Sequence, residues 1–435
     1  MARAVIGSLP WGTKLVVSAV LQIPCVSVLN CGSKDLDSIA SSIAYAWFAT
    51  VAKKLNVVPL IQTPRPDLGL RAENLDAFSR SGFVDVSNDP TKLDALCIDD
   101  LPASLPFPSH KFSLVDHNRL GSYFTKNNPN ATVVSVVDHH ADEELYKDTA
   151  DPRIITVPTG SCTSLIANLI HSQSPAGVAI IPELATFLIC GIVIDTNGLK
   201  PGGKAENTDR QAMAYLLPRS TFAPEIPSSI VDDDPGADFH DIPVLKDLTG
   251  ELKTKKDNVS RLGTRDLLRR DYKEETLTPS WAKGSQIKIG LSSVPLGFKN
   301  WIPRDKHFHD TVEGWIKERQ ITTLAVLTSF SDEKDSEKKS KKKAEKKSKG
   351  KHKRQLLVVV ADNKDLASRI FPGLEKNTEL QLEERSFEKF GGKANGGFKG
   401  VFEAKLYRQG NADASRKVVA PIIREIVEGS PNANQ

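Results

Sequence analysis

Short apolar runs alternate with longer stretches of helical periodicity through the first half of the chain. Cys25–Leu29, Val57–Ile61, Ala95–Ile98, Phe112–Val115, Thr132–Val137 and Ile189–Ile194 are almost wholly apolar, as expected of strands buried on both faces. Between several of them lie segments such as Ser38–Lys54, whose apolar residues recur at helical spacing. Strand-like runs separated by helices predict an α/β fold with a doubly wound parallel sheet. Two apolar stretches imitate membrane signals. Lys14 precedes an apolar run from Leu15 to Leu29, but Gln22 and Pro24 interrupt it and no small-residue cleavage pattern follows. A helix leading into the first strand is expected there. Ala176–Ile194 is broken by Pro182 and Glu183, and reads as a loop, a buried helix and a buried strand.

The pattern changes after residue 223. Pro224 to Pro243 contains four prolines and the acidic run Asp232–Asp234, the composition of a linker. A charged helical stretch follows over Val244–Glu275. Strand candidates then come at Ile287–Leu291, Thr323–Thr328, Leu356–Ala361 and Gly400–Lys405. These predict a catalytic domain over 1–230, a linker over 231–245, and a smaller C-terminal α/β domain with a mixed sheet over 246–435. Residues 331–354 form a Lys/Ser/Glu tract between two of the strand candidates. It has almost nothing to bury and is expected to be a disordered basic insertion.

Composition sharpens this outline. The chain has 435 residues, 39% hydrophobic and 26% charged, which suits a soluble globular protein of two domains. The formal net charge is +4, yet residues 331–354 hold 12 Lys/Arg against 5 Asp/Glu, leaving 46 basic and 49 acidic residues elsewhere. The basic balance is local, so net charge makes no case for nucleic-acid binding. Five cysteines without a repeated spacing are not a disulfide framework and fit a reducing compartment.

The strongest chemical signal is positional. Val26–Leu29 leads within a short loop to Asp35 and Asp37. Phe112–Val115 ends at Asp116, Thr132–Val137 at Asp138 with His139 and His140 behind it, and Ile189–Ile194 at Asp195. Ligands of open parallel sheets bind outside the carboxyl ends of the strands. Four strands delivering carboxylates and imidazoles there would build a crowded acidic cluster whose repulsion divalent cations relieve. Mixed Asp and His donors suit Mn²⁺ or Mg²⁺, with Co²⁺ as a further candidate. Any one of these aspartates alone would be an ordinary turn or cap residue. Asp99 and Asp100 also follow an apolar run, but Leu101-Pro102 gives them a plain turn context.

The motifs themselves are specific. Ser33-Lys34-Asp35-Leu36-Asp37-Ser38, Val115-Asp116-His117-Asn118, Val137-Asp138-His139-His140 and Gly191-Ile192-Val193-Ile194-Asp195-Thr196 resemble, in order, the four motifs of the DHH phosphoesterase superfamily. Arg270-Asp271-Tyr272-Lys273-Glu274 resembles the phosphate-binding lysine segment of family II pyrophosphatases and exopolyphosphatases. Ser415-Arg416-Lys417, followed by Pro421, resembles their C-terminal motif. Nucleases of the superfamily end instead in Gly-Gly-Gly-His. Gly391-Gly392-Lys393 lacks that histidine and reads as a flexible loop. Length, and Leu36 between the first two aspartates, place the likeness in the exopolyphosphatase/prune branch, nearest the fungal-type cytosolic exopolyphosphatases.

This resemblance implies a function. Asp116 would bridge two divalent ions, with Asp35 on one and Asp37, His139 and Asp195 on the other. Water held between them, acidified towards hydroxide, would attack the terminal phosphorus of inorganic polyphosphate and release orthophosphate. His140 would meet the transferred or leaving phosphate. Ser415, Lys273, Arg416 and Lys417 would bind phosphate from the second domain, across a cleft that closes on substrate. Prune-type proteins usually carry Arg in place of His140, so the intact pair favours a hydrolase. The alternatives are an inorganic pyrophosphatase and a prune-like phosphoesterase or scaffold. Thr159-Gly160-Ser161-Cys162-Thr163-Ser164 would open a helix, either as a phosphate site or as a cap that packs Cys162 into the core.

One position departs from the family. Four residues before Asp35, pyrophosphatases carry His and exopolyphosphatases usually Asn. Here it is Cys31, either a thiolate ligand or a neutral thiol packed under the site. The expected location is cytoplasmic, with nuclear import as a role open to the basic tract, and no membrane partner is expected. If that tract is an insertion, excising it should leave the melting temperature nearly unchanged. Loss of a cooperative melt in the shortened protein would assign it to the core.

Overall fold

A computed structural model describes residues 26–30, 35–83, 93, 95–101, 107–226, 234–331, 352–391 and 397–429. Cys31, the expected helix before the first strand, Asp232 and Asp233, and most of the basic tract lie outside the described residues. Compact packing divides the chain into two units, Met1–Asn258 and Val259–Gln435.

The first unit carries a six-stranded sheet: β1 (Val26–Leu29), β2 (Val57–Ile61), β3 (Leu96–Cys97), β4 (Lys111–Val115), β5 (Thr132–Asp138) and β6 (Arg153–Ile155). Their order is β3-β2-β1-β4-β5-β6, and every neighbouring pair is parallel. The continuous apolar runs arise because β1, β2, β4 and β5 are buried along most of their length. The doubly wound expectation therefore holds for this sheet. The order reverses between β1 and β4, and such a switch point opens a crevice at the carboxyl ends of the strands. Asp35 and Asp37 follow β1 there, and Asp116 follows β4.

Among the described residues of this unit, besides the single turn Ser122–Thr125, five α-helices precede residue 226: α1 (Leu36–Val51), α2 (Ala72–Arg80), α3 (Cys162–Gln173), α4 (Pro182–Thr196) and α5 (Asn207–Leu216). A sixth, α6 (Pro243–Asp257), also packs here, burying Leu245, Leu248 and Leu252 in the same core. One expectation fails: Ile189–Ile194 is no strand but the second half of α4. Pro182, read as a breaker, occupies the first helical turn, where its missing N–H costs nothing. The helix ends at Asn197, whose left-handed backbone (φ 55°) provides the stop. It is apolar on nearly every side because α1, α2, α3, α5 and α6 pack around it. Asp195 thus comes from the last turn of a helix rather than a strand end.

The second unit has a mixed six-stranded sheet, ordered β11-β12-β10-β9-β8-β7. Its strands are β7 (Tyr272–Leu277), β8 (Ile287–Val294), β9 (Thr323–Ser331), β10 (His352–Ala361), β11 (Leu382–Arg385) and β12 (Phe402–Gln409). Only β8 and β9 pair in parallel. Among the described residues four α-helices accompany it besides the single turn Phe298–Trp301: α7 (Thr264–Arg270), α8 (Phe308–Arg319), α9 (Lys364–Lys376) and α10 (Arg416–Glu428). Two details depart from the sequence reading. The charged stretch to Glu275 is not helical throughout, since Tyr272–Leu277 is an edge strand. Its Glu274 is 2.9 Å from both Lys288 and Arg319, so edge ion pairs rather than an apolar face hold it. Ser331 and His352–Arg354 belong to the paired strands β9 and β10, with His352 opposite Ser331. An excision of the tract must therefore stay within 332–351. Among the described residues no helix is long and apolar enough to cross a membrane.

Gly191 lets α4 approach α3. A Cβ there would lie 2.8 Å from Thr163 Cγ2 and 2.9 Å from its Oγ1. Gly191→Ala should lower unfolding stability by about 1–3 kcal/mol through overpacking, measured by urea denaturation. An unchanged midpoint would mean that the two helices part freely.

Candidate metal centre

Four carboxylates and an imidazole meet at the switch point. Asp35 caps α1, its Oδ1 accepting from the Ser38 N–H at 3.1 Å. Asp37, two residues on, points from the first turn into the interior and is buried. Its carboxylate accepts from Ser161 Oγ (2.6 Å), Cys162 N (2.9 Å) and Thr163 N (2.8 Å). The N–H groups that open α3 are thus occupied by a carboxylate of the chain itself. The segment 159–164 is a cap that packs buried Cys162 under the sheet, not a vacant phosphate site.

Asp116 is buried at the end of β4 with φ 62°. That left-handed conformation is uncommon outside glycine, though aspartate adopts it more readily than most residues. Its Oδ1 has no hydrogen-bond partner. His139 Nε2 lies 3.2 Å from this oxygen and 3.6 Å from Asp37 Oδ2, while His139 Nδ1 donates to the Thr159 carbonyl at 3.1 Å. That bond fixes the ring so that Nε2 faces the carboxylates. Asp195 stands 4.0 Å from Lys256 of α6, a cation that sequence reasoning missed because nothing in the linear pattern joins α6 to the site.

Asp138 plays a different part. Its Oδ1 accepts from the His139 and His140 backbone N–H groups (2.8 and 3.2 Å) and from His140 Nδ1 (2.8 Å). Its Oδ2 accepts from Asn118 Nδ2 at 2.6 Å. Asp138 is therefore an orienting group, and Asn118 ties it to the loop beyond by donating to the Ala141 carbonyl at 3.0 Å. Asp116, His139 and His140 present donor atoms within 4.8 Å of one another, a group able to hold a cation. Asp99 and Asp100 sit elsewhere, accepting from Arg65 N (2.8 Å) and Arg65 Nε (3.2 Å).

Ionisation reflects this crowding. Burial raises Asp37, with His139 and Ser161 opposing and Asp35 adding to the rise. Burial pushes Asp116 well above the carboxylate range, against the pull of His139, with Asp37 and Asp35 adding to it. Asp195 reaches about 7 through burial and the charge of Asp37, Lys256 offsetting part. Burial alone would lower His139, but the carboxylates of Asp116 and Asp37 outweigh it and lift the imidazole to about 10. A proton on His139 does what a cation would do. Asp138 goes the other way: burial would raise it, but bonds from His140 and Asn118 hold it low.

In the second unit, Arg416 is anchored by Asp271, its Nη2 2.8 Å from Oδ1 and its Nη1 donating to the Asp271 carbonyl at 3.1 Å. Ser415 caps α10 by accepting from the Lys417 N–H at 3.3 Å. Lys273, two residues beyond Asp271 on β7, and Lys417 are exposed.

Comparison with known proteins agrees with the motifs. Residues 27–192 match the model of the DHH family N-terminal domain and residues 250–426 that of the DHHA2 domain. A Schizosaccharomyces pombe protein provisionally named an exopolyphosphatase is 29% identical over 414 residues, covering 91% of this chain and 89% of its own. "Exopolyphosphatase PRUNE1" of Mus musculus is 23% identical over 406 residues, covering 92% of this chain and 75% of its own. Among solved structures, a Methanococcus jannaschii protein provisionally assigned as a family II inorganic pyrophosphatase aligns with a TM-score of 0.49 and 16% identity, over 93% of this chain and 99% of that one.

The protonation pattern gives a pH test with a definite sign. In metal-free protein Asp195 has a folded pKa near 7 against an ordinary 3.8, so the folded state binds more protons between those values and stability falls as pH rises through them. His139, at about 10 against 6.5, contributes stability that is complete below 6.5 and lost by 10. The melting temperature of chelator-treated protein should therefore fall as pH rises from 5 to 9, less so in Asp195→Asn. A divalent cation held there would have to displace these protons, so any stabilisation by added metal should grow with pH. Scanning fluorimetry across that range checks both, and identical pH profiles for the two proteins would contradict the assignment.

Proposed function

We propose that this chain, a DHH-family phosphoesterase, is an exopolyphosphatase that releases terminal orthophosphate from inorganic polyphosphate with the help of divalent cations. The observation that carries the proposal is the buried Asp116 carboxylate, crowded by Asp37 and Asp35 and matched only in part by the His139 imidazole 3.2 Å from its Oδ1. Buried carboxylates so arranged repel one another unless positive charge joins them. Oxygen and imidazole donors of this kind fit hard or borderline divalent ions such as Mn²⁺ and Mg²⁺. The substrate reading is supported by the names of the two relatives and by the intact His139–His140 pair.

Asp35, Asp37, Asp116, His139 and Asp195 would hold the ions. When bound, such ions supply Lewis acidity and lower the pKa of a coordinated water. The protein's own residues do the rest. Thr159 keeps His139 in the tautomer that offers Nε2. Asp138 accepts from His140 Nδ1–H, so that in the imidazolium form the Nε2–H can donate to a phosphate oxygen and give its proton to the oxygen of the departing chain, leaving the neutral imidazole. Lys273, Arg416 and Lys417 neutralise the polyanion, Arg416 with its fork held by Asp271 and Ser415 fixing the turn that carries it.

Phosphate release from long-chain polyphosphate with Mn²⁺ or Mg²⁺, compared with release from pyrophosphate, tests the assignment. Asp116→Ala should fold and lose turnover by at least roughly 10²-fold. A well-folded Asp116→Ala protein with near-normal turnover, or a wild-type protein inert towards polyphosphate with both metals, would overturn it.

A further inference from the structure

One short segment aims two of the proposed cation ligands. Thr159 supplies the carbonyl that orients His139. Ser161, Cys162 and Thr163 supply the three donors that orient Asp37. Asp37 Oδ1 is taken by two of those donors and Oδ2 by one, which leaves a lone pair of Oδ2 on the side of His139 Nε2, 3.6 Å away. The aim of both ligands thus depends on where residues 159–163 lie.

A second buried carboxylate decides that. Asp209, in the first turn of α5 and fully buried, accepts from Gly160 N (2.9 Å), Ser161 N (3.2 Å) and Ser164 Oγ (2.6 Å). A fourth bond, from Glu206 N at 2.8 Å, caps its own helix. The segment is wedged against it: a Cβ on Gly160 would lie 2.6 Å from Asp209 Oδ2 and 2.6 Å from Thr196 Cγ2, beside Asp195. Three of the four bonds of Asp209 therefore serve the segment between His139 and Asp37 rather than α5.

We propose that Asp209 is a positioning residue of the metal centre. It touches none of the ligands, and sets their aim through residues 159–164. The proposal rests on the reading of Asp37 and His139 as cation ligands. Asp209→Asn keeps the size of the side chain and one carbonyl oxygen, enough for Gly160 N and Glu206 N. Its amide group then faces the Ser161 N–H, donor against donor, and the segment must shift. Outer groups of this kind are worth about 10–100-fold in metal affinity.

The experiment measures Mn²⁺ affinity by titration followed by electron paramagnetic resonance, on metal-free protein that is shown to be folded. Tyr45→Phe, which removes the buried 2.8 Å bond from Tyr45 to Ser135 Oγ, serves as a control for general destabilisation. Asp209→Asn should bind Mn²⁺ roughly 10–100-fold more weakly, and saturating Mn²⁺ should recover much of its turnover. Tyr45→Phe should bind as the wild type does. Gly160→Ala displaces the same segment with Asp209 intact and should show the same loss, which keeps the test open if Asp209→Asn does not fold. Wild-type affinity in either of these two variants, or an equal loss in Tyr45→Phe, would overturn the proposal. A wild-type protein that takes up no Mn²⁺ would overturn the cation reading and the proposal with it.

Discussion

Burial and neighbouring carboxylates raise the proton affinity of Asp37, Asp116 and Asp195 at the carboxyl end of the parallel sheet, Asp35 adding to each, and this crowding is the constraint that the first unit is organised to withstand. Charges so close, and largely out of water, are costly unless matched. The matches within the protein are partial: His139 between Asp37 and Asp116, Lys256 beside Asp195, and the opening N–H groups of α3 beneath Asp37. Each is placed by the fold. The reversal of strand order brings β1 and β4 side by side, the positive φ of Asp116 turns the chain at the end of β4, and α4 delivers Asp195 from across the core.

Most of this was legible in the chain, though not all for the right reason. Unbroken apolar runs identified β1, β2, β4 and β5 because both faces of a parallel sheet are covered. The run at Ile189–Ile194 looked the same and is a helix, because a helix packed on all sides also loses its amphipathic stripe. Periodicity cannot separate the two cases, but length can. Uncharged and almost wholly apolar residues, Thr186 apart, continue from Leu184 to Ile194, too far for a typical strand, and proline at the start of such a run marks a helix. Asp195 still joins the cluster, since the helix and the expected strand both end at the sheet's carboxyl edge.

What escaped the sequence were groups that act at one remove. Asp138 was visible only as one of the strand-end aspartates, and its oxygens are spent on His140, Asn118 and two backbone N–H groups. Asp209 and Lys256 lie outside the motifs, in helices whose patterns suggest only packing. Their roles depend on tertiary neighbours, and no spacing rule encodes those. In the second unit the edge strand β7 was missed because Glu274, Lys288 and Arg319 hold it by ion pairs, so it carries no apolar alternation. Arg416 and Lys273 were singled out through their motif alone, and the anchoring of Arg416 by Asp271 is what the three-dimensional arrangement adds.

The claim on which the rest turns is that the carboxylate cluster at the end of the parallel sheet is a divalent-cation site. Anomalous diffraction from crystals grown with Mn²⁺ tests it most directly. The account predicts manganese peaks among Asp35, Asp37, Asp116, His139 and Asp195, with Asp116 in contact with them. Crystals that contain Mn²⁺ elsewhere but show no anomalous density among these residues would contradict it.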